Sequence, residues 1–282
     1  MRARALTLIV GILLLLSVVA YLLFQEYRQS LFSSPLARIN VAIWGEHSYV
    51  ISLGKTTRQH YIFLFPNSYE VMVPGGLKGY KIGALGKLSS LEKDTQLFAK
   101  AMGQGSGVFV HKYLFSSQTE IFEDDTWVES TNFSQMKKEI FAGILAPGDL
   151  NVFDRLFVYL SLQQAKPSQT TVVRVKGAVP ELLLYDKVFR NEKKLVQLVF
   201  SQSERTAYFI ADFLENTGIR VADISKNPKQ SSQCVIIESS DQFSQTSRFL
   251  SSYFDCNLTR GDTGLYEVQW FLNDEVENRW KL

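Results

Sequence analysis

The chain has 282 residues, of which 46% are hydrophobic and 13% aromatic, and its formal net charge is +2. This composition is typical of packed globular protein, and it excludes a largely disordered chain. The near-neutral charge provides no basic surface for nucleic acid, so we predict that the protein does not bind it.

The first predicted element is an apolar helix over residues 5–24, a run without any charged side chain. Such a run is long enough to cross a bilayer, and Arg2 and Arg4 before it favour a cytoplasmic N-terminus. A cleaved signal peptide is the alternative, but it has a shorter apolar core and a small-residue cleavage site, which this segment lacks. We therefore predict a single-pass signal-anchor in the cell membrane, with residues 1–28 as cytoplasmic tail and anchor and residues 29–37 as a tether. The lipid bilayer is then a partner, and the rest of the chain is extracytoplasmic.

Strands and helices alternate through residues 38–165, which we predict to form the first domain. The alternation of apolar and polar residues indicates strands, and apolar residues spaced at three and four positions indicate amphipathic helices. The predicted elements are strands at 39–44, 49–53, 61–65 and 71–73, a helix that starts at the capping box of residues 89–92 and ends at Gly103, a strand at 107–113, a helix with the stripe Met136, Ile140, Phe141 and Ile144, and a helix capped by Asp149 or Asn151.

Residues 166–192 are predicted to be a linker that carries one strand, residues 193–276 a second domain, and residues 277–282 a tail. The second domain repeats a pattern of strand, helix and strand, and the order βαββαβ suits a small sheet covered by two helices. We therefore predict an α/β (α+β) fold. Cys234 and Cys256 could form a disulfide outside the cytoplasm, but their spacing alone does not decide this.

Three segments of the first domain resemble motifs of a known family. Residues 40–45 (NVAIWG) resemble its first strand, residues 65–75 (FPNSYEVMVPG) stand where it has S-I-P-R-D-T-Y-V-x-I-P-G, and residues 80–83 (YKIG) stand where it has K-I-N. The family is LytR-CpsA-Psr (LCP), and the resemblance covers most of residues 38–160. It implies a first domain with a central mixed sheet.

The second domain resembles the LytR C-terminal domain that is often attached to an LCP domain. This resemblance runs from residue 195 to residue 273. It departs from the usual pattern after the first strand, where Ser201 and Gln202 replace Asn-Gly.

The resemblance implies an extracytoplasmic function at the bacterial cell envelope. Members of the family transfer glycopolymers from a polyprenyl-pyrophosphate carrier to the cell wall, and they use arginines and an acid around the pyrophosphate and its metal ion. This chain has Asn67 at the motif arginine, Ser68 at the neighbouring aspartate and His47 at the earlier acidic position. Because asparagine and serine cannot supply a cationic fork, we predict a non-catalytic module without a cofactor that binds or scaffolds cell-wall glycopolymer or a lipid-linked precursor.

Two other functions remain open at this stage. An active phosphotransferase that uses Mg²⁺ would need relocated cations, with Lys55, Arg58, Lys78 and Lys81 as the nearest ligand-binding residues and Lys81 alone on a motif position. The other is a bitopic component of division or secretion machinery, in which a short cytoplasmic tail, one helix and small αβ modules recruit other membrane proteins.

Further candidate sites have ordinary explanations. The three histidines lack the spacing of metal ligands on a helix, so we interpret them as strand or loop residues. The glycine-rich residues 103–107 follow a helix, whereas phosphate-binding loops precede one, so we interpret them as a helix stop and turn. Residues 123–125 are acidic and are interpreted as a solvated loop.

Overall fold

The computed structural model describes residues 2–45, 47–56, 58–77, 79–115, 127–130, 132–176, 187–227 and 233–281. These residues form an apolar N-terminal helix, two five-stranded sheets and a two-stranded ribbon, with helices packed on both larger sheets. The predicted α/β fold is therefore confirmed.

The N-terminal helix α1 spans Arg2–Arg28. Its segment Ile9–Arg28 is long and apolar enough to cross a membrane, and the side chains of that segment are exposed rather than packed on the rest of the chain. A helix that is apolar on every side is stable only in apolar surroundings.

The segment after α1, which we predicted to be a tether, is held against the first domain. The backbone N–H of Leu31 donates to Asp154 Oδ1 at 2.6 Å. The ammonium group of Lys55 donates to the carbonyl oxygens of Leu31, Phe32 and Ser34 at 3.1, 3.1 and 2.6 Å. These bonds fix the segment after α1 to the first domain.

The first domain has a mixed sheet with helices on both faces. Its elements are β1 Arg38–Trp44, β2 Ser48–Gly54, β3 His60–Phe65, β4 Glu70–Met72, β5 Gly79–Lys81, α2 Leu85–Glu92, α3 Gln96–Ser106, β6 Lys112–Phe115, α4 Trp127–Ser130, α5 Phe133–Gly143, α6 Val152–Gln164 and β7 Thr170–Arg174. The sheet order is β6-β1-β2-β3-β7, in which β1, β2 and β3 are antiparallel and the two edge strands are parallel to their neighbours. The strand expected in the linker is thus an edge strand of this sheet, β7.

Two helix boundaries differ from the predicted ones. The residues of the supposed capping box end α2 instead of starting a helix, and Lys93 in the left-handed conformation separates α2 from α3. Helix α3 runs through Gly103 to Ser106 and ends at Gly107, whose φ is +70°. Gly103 remains part of the helix. A Cβ there would lie 2.9 Å from the carbonyl oxygen of Val108, so the lack of a side chain permits close packing. The predicted strand at 107–113 accordingly starts later, as β6.

The second domain has one more strand and two more helices than the predicted βαββαβ order. Its elements are α7 Lys187–Glu192, β8 Leu195–Phe200, α8 Glu204–Thr217, β9 Arg220–Lys226, β10 Val235–Glu238, α9 Gln245–Phe254, β11 Asn257–Arg260, β12 Val268–Phe271 and α10 Asp274–Trp280. The sheet order is β11-β10-β12-β8-β9. Strand β11 is a polar edge strand without apolar alternation, which is why the sequence pattern does not reveal it. Cys234 and Cys256 form a disulfide just before the paired strands β10 and β11.

An aromatic cluster joins the two domains. The ring of Phe109 in the first domain lies 4.2 Å from that of Phe213 and 4.7 Å from that of Tyr253 in the second. At the end of α10, in the region predicted as a tail, the carbonyl oxygen of Lys281 accepts the N–H groups of Gly75 and Gly76 at 2.8 and 2.9 Å. The second domain is therefore bonded to the loop that carries the motif of the first.

Candidate functional site

The three residues that we predicted to be substituted motif positions lie at one end of the first sheet. Ser48 pairs with Phe65, so β2 begins where β3 ends. His47 directly precedes β2, and Asn67 and Ser68 follow β3. We call this region, defined by His47, Asn67 and Ser68, the motif end of the sheet.

Asn67 is built into a tight turn beneath the β4–β5 ribbon. Its carbonyl oxygen accepts the N–H of Gly83 at 3.0 Å, and the carbonyl oxygen of Tyr69 accepts the N–H of Ile82 at 2.9 Å. The residue is only 4% exposed, whereas Ser68 beside it faces solvent. The position that we predicted to match the motif arginine is thus occupied by a buried neutral amide.

His47 contacts an acid that the sequence analysis did not identify. Its Nδ1 lies 3.0 Å from Glu139 Oε2 on α5, and the hydroxyl of Tyr49 donates to the same oxygen. Gln135 donates to the other carboxylate oxygen at 3.1 Å. A carboxylate with both oxygens engaged adds negative charge here, which opposes the approach of a phosphate. No local sequence pattern indicates Glu139, because it reaches His47 only through the packing of α5.

The predicted cations do not converge. Lys81 is exposed on β5 and pairs with Glu70 near the motif end. Arg58 is also exposed, but it lies before the start of β3, and a strand of this length separates its two ends by roughly 17 Å. Arg58 and Lys81 therefore cannot bind the same pyrophosphate in this arrangement.

The other two lysines do not add to the site. The ammonium of Lys55 is bonded to the backbone beyond α1, and burial lowers the pKa of this group. Lys78 lies outside the described residues, as does the acidic run 123–125.

Two cations that sequence reasoning missed do lie at the motif end. Arg174 pairs with Leu64 in the parallel β3–β7 ladder, and Lys176 follows it. Both have protein partners, since Arg174 Nε donates to the carbonyl of Val128 at 2.7 Å and Lys176 lies 2.5 Å from Glu129. They were missed because β7 was assigned to the linker.

The residues at the motif end do not fit the metal ion that the resemblance implies. A hard cation needs several oxygen ligands, preferably carboxylates, and the corresponding positions here are His47 and Ser68. Glu139 already binds His47, Tyr49 and Gln135. Within the described ranges, no group of three histidine, cysteine or acidic side chains is placed to hold a metal.

Comparison with known proteins gives weak structural similarities. No protein-family model matches the chain, and no curated protein matches it. B. subtilis TagT aligns at 10% identity with a TM-score of 0.35, over 50% of this chain and 79% of TagT. B. subtilis TagV aligns at 8% identity with a TM-score of 0.36, over 51% of this chain and 86% of TagV. A structure of the LytR-CPS2A-psr family protein YwtF (TagT) with bound octaprenyl pyrophosphate lipid aligns at 9% identity with a TM-score of 0.34, over 49% of this chain and 77% of that one. Scores this low do not establish a shared fold, and no functional conclusion follows from them.

Proposed function

We propose that the chain is a membrane-anchored protein of the bacterial cell envelope that binds cell-wall glycopolymer or a lipid-linked precursor without transferring it. In this proposal α1 crosses the membrane once, its N-terminus is cytoplasmic, and both domains are extracytoplasmic. The exposed apolar surface of α1 and the arginines at positions 2 and 4 support this orientation. The LCP-like motifs support the envelope setting.

The charges at the motif end carry the non-catalytic part of the proposal, because its two basic residues, Arg174 and Lys176, already have protein partners. Transfer from a pyrophosphate requires positive charge that neutralises the phosphates as the bond breaks. Asn67 is neutral and buried, and the carboxylate of Glu139 lies beside His47. Of the predicted cations among the described residues, only Lys81 lies near this end.

The test is a transfer assay with the full chain in detergent. We expect neither glycopolymer transfer nor pyrophosphate cleavage when the protein is incubated with a polyprenyl-pyrophosphate donor, Mg²⁺ and isolated cell wall, while the protein still co-sediments with the wall. Lys81→Ala is the matched variant. Transfer that Lys81→Ala abolishes would contradict the proposal.

An active phosphotransferase is the second candidate, and one observation favours it. Arg174 and Lys176 bring two cations to the end of the sheet that carries the motif. If these residues replaced the family's arginines, the Arg174→Gln and Lys176→Gln double variant would lose a transfer activity that the wild type shows in the same assay.

A further inference from the structure

The two domains enclose a cleft beside the end of α1. It has a volume of about 680 Å³, and its walls are α3 and β6 from the first domain and α9 and α10 from the second. Its floor includes Gln29, Ser30 and Leu31, which directly follow α1. We call it the interdomain cleft. None of the motif-end residues described above lines it, so it is separate from the site that the sequence predicted.

The charged side chains that line the cleft are predominantly cationic. Four of its side chains carry positive charge, namely Lys100, Lys112, Arg248 and Arg279, and Asp149 is the one acidic side chain among them. Burial raises the pKa of Asp149 to about 6, so this lining carboxylate loses part of its negative charge under mildly acidic conditions. Positive charge held in a concave site attracts anions more strongly than the same charge on a flat surface.

Two of these cations, Lys100 and Arg279, lie close enough to repel each other. Lys100 makes no hydrogen bond or ion pair with the described residues, and its pKa is lowered mainly by burial, with Asp94 opposing and Arg279 adding to the effect. Arg279 pairs with Glu275 at 3.1 Å through one terminal nitrogen, but its Nε is buried without a hydrogen-bond partner. Like charges that are partly removed from water destabilise a fold unless an anion joins them.

Two further donors reach the same cleft. Arg248 uses its Nε to bond the carbonyl oxygen of Phe243 at 3.2 Å, while its terminal nitrogens have no partner in the described part of the chain. His111 accepts the N–H of Asn40 at its Nδ1 at 3.0 Å, so the neutral ring carries its proton on Nε2. The lining also includes aromatic rings, among them Trp280. Convergent donors beside apolar rings are typical of a site for a small anionic group with an apolar attachment.

The position of the cleft indicates where such a ligand would come from. The floor residues are fixed to the first domain through Leu31, which binds both Asp154 and Lys55. If α1 crosses the bilayer, as in the proposed function, the cleft is held at the height of the lipid headgroups. Basic side chains at that height bind anionic lipid.

We propose that the interdomain cleft binds a phosphoryl group, and specifically the headgroup of an anionic phospholipid of the adjacent leaflet. Lys100 and Arg279 contact the phosphate oxygens, and Arg248 and His111 donate further hydrogen bonds. The aromatic rings contact the glycerol and the start of the acyl chains.

The experiment is a titration of the full chain in neutral detergent with short-chain phosphatidylglycerol, with phosphatidylcholine of the same chain length, and with inorganic phosphate. We expect phosphatidylglycerol to bind more tightly than both, and the Lys100→Gln and Arg279→Gln double variant to bind it at least about tenfold more weakly, because two charged hydrogen bonds are lost. Arg205→Gln, on the exposed surface of α8, together with Arg220→Gln, on β9, is the charge-matched control and leaves binding unchanged. Thermal unfolding of each variant verifies that it is folded. The single Lys100→Met variant, which removes a charge without an ion-pair partner among the described residues, provides a second test of the loss of phosphatidylglycerol binding.

Each other outcome overturns the proposal. Equal binding of phosphatidylcholine excludes recognition of negative charge. Phosphate that binds as tightly as phosphatidylglycerol identifies a free anion as the ligand, and unchanged binding by the folded double variant places the lipid elsewhere. Because the lipid is supplied in detergent, the result does not depend on α1 spanning a bilayer or on transfer activity at the motif end, so failure of the proposed function is recognised separately.

Discussion

His111 illustrates how burial sets the charge of a side chain. Burial lowers the pKa of this group from 6.5 to about 4.

 

A neutral folded state and a protonated unfolded state differ in bound protons, so stability is complete above about pH 6.5 and falls as the pH drops toward 4.

This residue therefore predicts a specific acid sensitivity. Between pH 7 and pH 4.5 we expect the wild type to lose about 2 kcal/mol more unfolding free energy than His111→Asn, because asparagine keeps an acceptor for Asn40 but does not titrate. Urea unfolding of the full chain in detergent at both pH values measures the difference. Identical pH dependence of the two proteins would contradict the assignment.

At the site, some residues could be predicted from the sequence and others could not. The motif spacing predicted that His47 and Asn67 belong to one site, because both flank strands whose alternation is visible in the sequence. Glu139 and Arg174 reach the same end of the sheet only through the packing of α5 and the pairing of β7. Such contacts join residues about a hundred positions apart, and no local pattern encodes them.

At the scale of elements, buried strands and amphipathic helices were predictable, and short or glycine-containing elements were not. Strand β1 alternates clearly, and α8 has a regular apolar face and a glycine at its C-terminal end. Helix α3 contains glycines that normally interrupt helices, yet tertiary packing keeps them helical. Helix α10 is seven residues long, too short for its periodicity to be recognised.

Helix α2 provides a prediction in which packing outweighs helix propensity. Gly86 lies against Trp44, and a Cβ at this position would be 2.1 Å from the indole ring. Alanine would raise intrinsic helix propensity by about 1 kcal/mol, but the clash should reverse the sign and destabilise the protein by roughly 1–3 kcal/mol. The unfolding midpoint of Gly86→Ala measures this effect.

The matched control is Gly143→Ala in α5. A Cβ there would lie 3.4 Å from Ile43, which is ordinary contact, so we expect no loss of stability. Equal midpoints for Gly86→Ala and the wild type would show that Trp44 can move away at little cost.

At the scale of the whole molecule, contacts connect the end of α1 to the last residues of the chain. Lys55 and Asp154 hold the segment after α1, the ring of Phe109 packs into the second domain, and the carbonyl of Lys281 returns to the motif loop of the first. An orientation imposed on α1 by a membrane would therefore be imposed on both domains.

The disulfide tests this orientation in cells. Disulfides persist in oxidising compartments and are rare in the cytosol, so the bond between Cys234 and Cys256 is expected to form only if the second domain is exported. In wild-type cells lysed under denaturing conditions, we expect both cysteines to resist maleimide unless a reductant is added first. A variant that lacks residues 5–24 stays in the cytoplasm, and its cysteines should react without reductant. Reactive cysteines in the full-length wild-type protein would place the second domain in the cytosol, and the envelope function proposed here would then be wrong.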